Sequence, residues 1–247
     1  MDDLERVEQR HSFRLPEAYR SIQALGWLDV KLPDNPSYFW LNEAEWMLPE
    51  EIADYEFQDY QKPDFVPFAL TGGGDHWCCW LSEHPDAVVL CQHDSYDGEF
   101  YAPSFLGFIY RSLLDYARYV SVEDEEEGEV RQNLRRAAAR FRDRFPAPWL
   151  DTLNALASAP LVQSFLPSGR STVWGLETEQ QYQEIVQRDL TFPLLDQRFE
   201  WMYPLSEAEA ETGAIWRKVI TESGPDVSFA EKLARVEVEV ARRKGTP

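Results

Sequence analysis

Three short apolar runs in close succession, FVPFAL (Phe65 to Leu70), HWCCWL (His76 to Leu81) and AVVLCQ (Ala87 to Gln92), constrain this chain more than any other feature. Each is six residues long, rich in aromatic or β-branched side chains, and bounded by turn-forming residues, which is the pattern of consecutive strands. The intervening TGGGD and SEHPD are too short for a helical crossover, so the runs must fold back on one another as antiparallel neighbours. Helical patterns lie on both sides. Leu4 and Val7 indicate a short first helix, and LPEAYRSIQALG places Pro16 at a first helical position. Leu15, Tyr19, Ile22 and Leu25 share one face of that second helix, and Gly26 stops it. Asp29 to Leu48 reads as short strands around Tyr38, Phe39, Trp40 and Trp46, and Ser104 caps a helix whose buried face is Phe105, Phe108, Ile109, Leu113 and Tyr116. Helices packed on a mainly antiparallel sheet make an α+β fold.

The run EDEEEGE, Glu123 to Glu129, divides the chain, because packed like charges resist burial. The expected organisation is an α+β domain over 1–122, an acidic hinge over 123–129 and a mostly helical region over 130–247. In the latter, VRQNLRRAAARFRDRF, PWLDTLNALA and TEQQYQEIVQRDL read as helices, the third with a Thr178/Gln181 capping box. Ser206 with Glu209 and Ser228 with Glu231 mark two more. Strands are expected at TVWGL and QRFEWMY. Six arginines between Arg131 and Arg144 follow the acidic run directly and are read as forming ion pairs within the chain rather than a nucleic-acid surface.

Charge narrows the partners. The 44 acidic and 24 basic residues leave a net −20, and residues 1 to 120 hold 22 acids against 8 bases. Such a surface repels nucleic acid and anionic membranes and steers cationic proteins toward itself. There is no apolar run of about 18 residues for a membrane span. Three cysteines, Cys78, Cys79 and Cys91, make no disulfide framework, and MDDLERVEQR lacks the pattern of a signal peptide, so a cytoplasmic location is expected.

TGGGDHWCCWL invites three chemical readings. A phosphate loop needs glycines opening into a helix and usually a lysine, whereas Gly72, Gly73 and Gly74 precede Asp75 and a strand. They fit a tight strand-to-strand bend, with Asp75 folding back on the turn amides. A zinc site has donors in His76, Cys78, Cys79, Cys91 and His93. If Leu81 and Ala87 flank a five-residue loop, however, Cys79 opposes Val89, Cys78 opposes Leu90 and His76 opposes Gln92. That register sends His76 and Cys78 to one face and Cys91 and His93 to the other. Thiol catalysis needs a positive environment, and no Lys or Arg occurs from 63 to 110. The reading is therefore of no catalytic residue, no metal and no cofactor.

The ordered set LPEAYRSIQALG, Trp46 within EAEWMLPEE, FVPFALTGGGDHWCCWL, AVVLCQHD and APSFLGFIYRSLL resembles the SUKH superfamily over about residues 1 to 120. That superfamily contains fungal cell-wall-synthesis regulators and bacterial immunity proteins. The resemblance implies an α+β domain without catalytic residues, in which Leu15, Pro16, Trp46, Gly72, Gly73, Gly74 and Asp75 are a fold signature. It also implies binding of a protein toxin. Together with the charge, it points to an immunity protein that plugs the basic site of a cognate toxin, a nuclease domain. Contacts are expected from DYEFQDY (Asp54, Glu56, Asp59) and HDSYDGE (Asp94, Asp97, Glu99), with Tyr55, Tyr60, Tyr96 and Tyr101 adding interface area. The alternative is a non-catalytic regulatory scaffold whose helical half binds another partner.

Overall fold

A computed structural model describes residues 3–27, 44–118, 126–165, 172–175, 178–204, 215–216, 218–219, 221–223 and 227–243. The expected strands around Tyr38, Phe39 and Trp40, the start of the acidic run and the Ser206/Glu209 helix lie outside these residues. The chain forms two compact units, Met1–Met202 and Tyr203–Pro247.

In the first unit, α1 (Asp3–His11), α2 (Glu17–Ala24), β1 (Ala44–Trp46) and α3 (Pro49–Ala53) precede β2 (Phe65–Thr71), β3 (His76–Trp80), β4 (His84–Cys91) and β5 (Asp97–Ala102). Then come α4 (Phe105–Arg118), α5 (Glu126–Arg140), α6 (Ala147–Leu156), β6 (Val162–Phe165), β7 (Thr172–Gly175), α7 (Glu179–Asp189) and β8 (Arg198–Glu200). The main sheet has six strands in the order β1-β2-β3-β4-β5-β8, every neighbour antiparallel, and β6 and β7 form a separate hairpin. The fold is α+β, as the patterns require. In the second unit α8 (Phe229–Arg243) opens with the Ser228/Glu231 box, in which the Ser228 N–H donates to Glu231 Oε2 at 3.0 Å.

Side chains alternate across the sheet and build two cores. Val66, Phe68, Trp77, Cys79, Val88 and Tyr101 face α2 and α4, whereas Phe65, Cys78, Val89, Cys91 and Phe100 face the opposite side. That second face is closed by Trp201 and Met202, with Phe192, Leu194 and Phe199 packed around them. The Phe199 ring stacks on Phe65 at 5.1 Å and lies 4.7 Å from Trp80. A Cβ at Gly98 would come within 2.7 Å of the Phe199 ring, so a larger residue there would displace that ring from its place over β5.

Helix α4 is buried beyond its expected stripe. Phe105, Phe108, Ile109 and Leu113 are buried as expected and Tyr116 is half-buried, but Tyr110, Arg111, Ser112, Leu114 and Asp115 are buried too. The cause is that α5, α6 and α7 pack against the face turned away from the sheet. The charges inside are satisfied. Arg111 donates to the Tyr182 hydroxyl (2.9 Å), the Tyr101 carbonyl (2.7 Å) and Asp196 (3.0 Å), and its guanidinium lies 4.2 Å over the Tyr101 ring. The Tyr101 hydroxyl donates to Asp115, which Arg118 also contacts at 3.1 Å, and Arg118 pairs in turn with Glu179.

Several expectations are corrected. Pro16 is the residue before α2 rather than its first helical residue, with extended backbone at ψ 133°, and Leu25 is exposed at the helix end. The hairpin β3–β4 is shifted by one position, pairing Cys79 with Val88, Cys78 with Val89 and His76 with Cys91. The shift arises because β4 starts at His84, inside the expected loop, and a bulge after Cys79 absorbs the extra residues. His76, Cys78 and Cys91 therefore share a face. Of the arginines expected to pair within the chain, Arg131 and Arg135 also donate to the Ala157 carbonyl, and Arg140 and Arg144 lie over the Trp27 ring.

Candidate functional site

The glycine bend and the acidic segments meet at one end of the main sheet. The bend is closed by Thr71, whose carbonyl accepts from the Gly74 N–H (2.9 Å) and whose hydroxyl accepts from the Asp75 N–H (2.9 Å), with Gly74 at φ +93°. The Asp75 carboxylate does not fold back on these amides. It reaches across to the end of β4, where Oδ1 accepts from the His93 N–H (2.9 Å) and contacts His93 Nδ1 at 2.8 Å. Burial pushes the Asp75 carboxyl up, but the His93 amide and imidazole outweigh this and hold it below its ordinary range. Thr71 thus shapes the turn, and Asp75 pins the start of the 93–99 segment. Among the described residues, the one set of three metal-type donors with ligand atoms all within 4.8 Å of one another is Asp75, His93 and Asp94.

The 54–60 and 93–99 segments are held together by residues of the second half. The Trp201 N–H donates to the Tyr96 carbonyl (3.0 Å), and the Trp201 carbonyl accepts from the Lys62 N–H (3.1 Å). Its indole Nε1 donates to both the Gln92 and Ser95 carbonyls, at 3.1 and 3.0 Å. Gln61 bridges to Met202, and Lys62 Nζ donates to the Glu200 carbonyl at 2.7 Å. Beneath this junction His76 packs 5.6 Å from the Trp201 ring, and its Nε2 meets the Tyr55 hydroxyl at 3.1 Å. Tyr55 also donates to Gln61 (3.2 Å), and burial raises its phenol above the ordinary value.

The nominated residues separate into groups. Asp54 is matched by Arg6 at 3.0 Å, and Glu99 by Arg198 at 3.6 Å. Glu56, Asp59, Asp94 and Asp97 are exposed and make no ion pair among the described residues. Tyr60 and Tyr96 are 41% and 39% exposed, Tyr55 is half-buried, and Tyr101 is buried in the network under α4 and unavailable to a partner. Of the fold signature, Leu15 and Pro16 are buried and Trp46 is half-buried against Phe68 at 5.7 Å. Trp201, Lys62 and Arg198 were not singled out by sequence reasoning. QRFEWMY carried a strand signal but nothing that named β5 as its neighbour.

The cysteines sit away from chemistry. Cys78, Cys79 and Cys91 are buried free thiols, and Cys78 and Cys79 are pushed well above the ordinary thiol range. Burial is the main cause of both shifts. A protonated buried thiol is a small hydrophobe.

His76 gives a pH signature. Burial lowers its pKa below 6.5, opposed by Asp75 and aided by His93. Above about pH 6.5 the ring is neutral in the folded and unfolded chain alike; below it the unfolded chain takes up a proton that the folded state resists, so stability falls. Thermal midpoints are expected to drop between about pH 7 and pH 5.5, and His76→Asn to flatten that drop. His11, also lowered by burial, supplies the remainder. An unchanged slope in the variant contradicts the assignment.

No curated protein and no solved structure matches the chain. Among the described residues no helix is long and apolar enough to cross a membrane. Residues 1–111, the stretch that carries Leu15-Pro16, Trp46 and the Gly72–Asp75 bend, match the model of the SMI1 / KNR4 family (SUKH-1).

Proposed function

We propose that this chain is a cytoplasmic immunity protein that blocks a cognate bacterial toxin, a basic nuclease domain, by stoichiometric binding and without chemistry of its own. The family whose model residues 1–111 match includes toxin-immunity proteins. The observation that carries the reading is the placement of aromatic surface. Among the described residues of the first unit, Tyr60 and Tyr96 are the exposed large aromatic side chains. Both stand in acidic segments, and Trp201 joins those segments. Tyrosines flanked by unpaired carboxylates combine contact area with a field that draws in cations, as hot spots at protein interfaces do.

A nuclease must hold phosphates, so its cleft is cationic, and fixed carboxylates at the mouth of that cleft imitate the polyanion. The test is co-expression with the toxin encoded beside this gene, followed by affinity measurement. Reversing Asp59, Asp94 and Asp97 to Lys is expected to weaken binding at least ~100-fold and abolish growth rescue, because each is a close-range charge contact. Reversing Glu83, Asp143 and Asp151, exposed acids outside these segments, is expected to change affinity by less than about threefold, through long-range steering alone. Equal losses in both triples, or killing undiminished by the wild-type chain, rule the reading out.

A further inference from the structure

We infer that residues 198–202 act as a strap that sets the spacing of the two halves of the receptor face, with Trp201 as its positioning residue. The inference rests on the reading of that face as a receptor for a cationic protein surface. The carboxylates and tyrosines lie within the family-matched region, but the group that holds their two segments together comes 90 positions after its end. Trp201 is 2% exposed, so it presents no surface to a partner. Its three N–H···O contacts to 92–96 and its carbonyl contact to Lys62 make it the hub between the segments.

The physical argument is pre-organisation. Without the indole the Gln92 carbonyl keeps only the 3.3 Å contact from the Ser95 N–H and the Ser95 carbonyl loses the donor it has here, so the turn samples more conformations and a partner must order it on binding. With both carbonyls held by one buried indole, Asp94, Tyr96 and Asp97 keep one placement relative to Asp59 and Tyr60 before any partner arrives. Because β8 rides on β5 through Asp97↔Glu200 and Gly98↔Phe199, the strap and the acidic turn move as one body. Partner preference should therefore respond to substitutions in 198–202 that alter no exposed charge.

Two variants test this, with a short oligo-arginine peptide as probe. Trp201→Phe keeps an aromatic ring in the core and removes the Nε1 donor. Lys62→Met cuts the Nζ contact to Glu200 without entering the core. For Trp201→Phe, the expected result is a retained cooperative fold, amide exchange over 92–97 quickened at least about tenfold, and peptide dissociation about fivefold faster with an unchanged salt dependence, since no charge has moved. For Lys62→Met, removing a cation beside an acidic face would by charge alone tighten the complex, whereas the strap requires weaker binding, by about twofold to threefold. Unchanged exchange and dissociation in Trp201→Phe, or tighter binding by Lys62→Met, overturn the strap and leave the receptor reading standing. Amide shifts from the peptide scattered over the whole wild-type surface, rather than gathered at 54–62 and 92–99, remove the receptor reading and the strap with it.

Discussion

Replacing residues 192–202 by a Gly/Ser linker of equal length is expected to abolish the cooperative unfolding of the first unit. Trp201 and Met202 are buried in the second face of the main sheet, and Phe192, Leu194 and Phe199 pack around them. A fully buried large apolar side chain contributes about 1.5–3 kcal/mol. Even with half-weight for the partly exposed members, the segment supplies roughly 5–10 kcal/mol, comparable with the whole stability of a domain of this size. Its loss also bares Phe65, Phe100 and the edge of β5, a surface prone to pairing with other chains. Urea unfolding followed by tryptophan fluorescence, with dye binding to report exposed apolar surface, checks the result. A sharp transition at an unshifted midpoint would show that 1–191 holds together without its sixth strand.

Arg111→Met is expected to destabilise the first unit by about 3–5 kcal/mol, the usual penalty when one partner of a buried charged network is removed. The guanidinium is held at three points, by the Tyr182 hydroxyl, the Tyr101 carbonyl and Asp196, and it lies over the Tyr101 ring. Methionine fills much of the volume, so the loss reports the unpaired acceptors rather than a cavity. The network joins β5 and α4 to α7, and a double substitution with Tyr182→Phe should lose less than the sum of the two single changes, because both act on one hydrogen bond. Thermal or urea unfolding of the four proteins measures the coupling. A loss below about 1 kcal/mol for Arg111→Met would mean that solvent replaces the guanidinium at this site.

Local chemistry made much of the fold legible. The apolar runs separated by TGGGD and SEHPD became β2, β3 and β4, and the Thr178/Gln181 and Ser228/Glu231 boxes both cap helices. Each signal acts within a few residues, so no knowledge of the rest of the chain is needed to read it. The β3–β4 register failed because a bulge is an irregularity of one strand that alternation does not encode, and a shift of one position moves Cys91 to the face of His76 and Cys78. Asp75 was seen as part of the bend, but its acceptor role belongs to His93, 18 positions on.

The sequence by itself determined most of the element types, though not α3 or β6, together with the bend at Gly72 to Asp75, the strong acidity and the two tyrosine-bearing acidic segments, all of which are properties of neighbours along the chain. Tertiary structure alone decided that the QRFEWMY strand joins β5, that Tyr101 is buried while Tyr60 and Tyr96 are exposed, and that α4 is enclosed by α5, α6 and α7. The physical reason is that burial and strand pairing are settled by which distant surfaces remove the most apolar area from water while satisfying every buried polar group. That competition runs over the whole chain at once, and no window of sequence contains it.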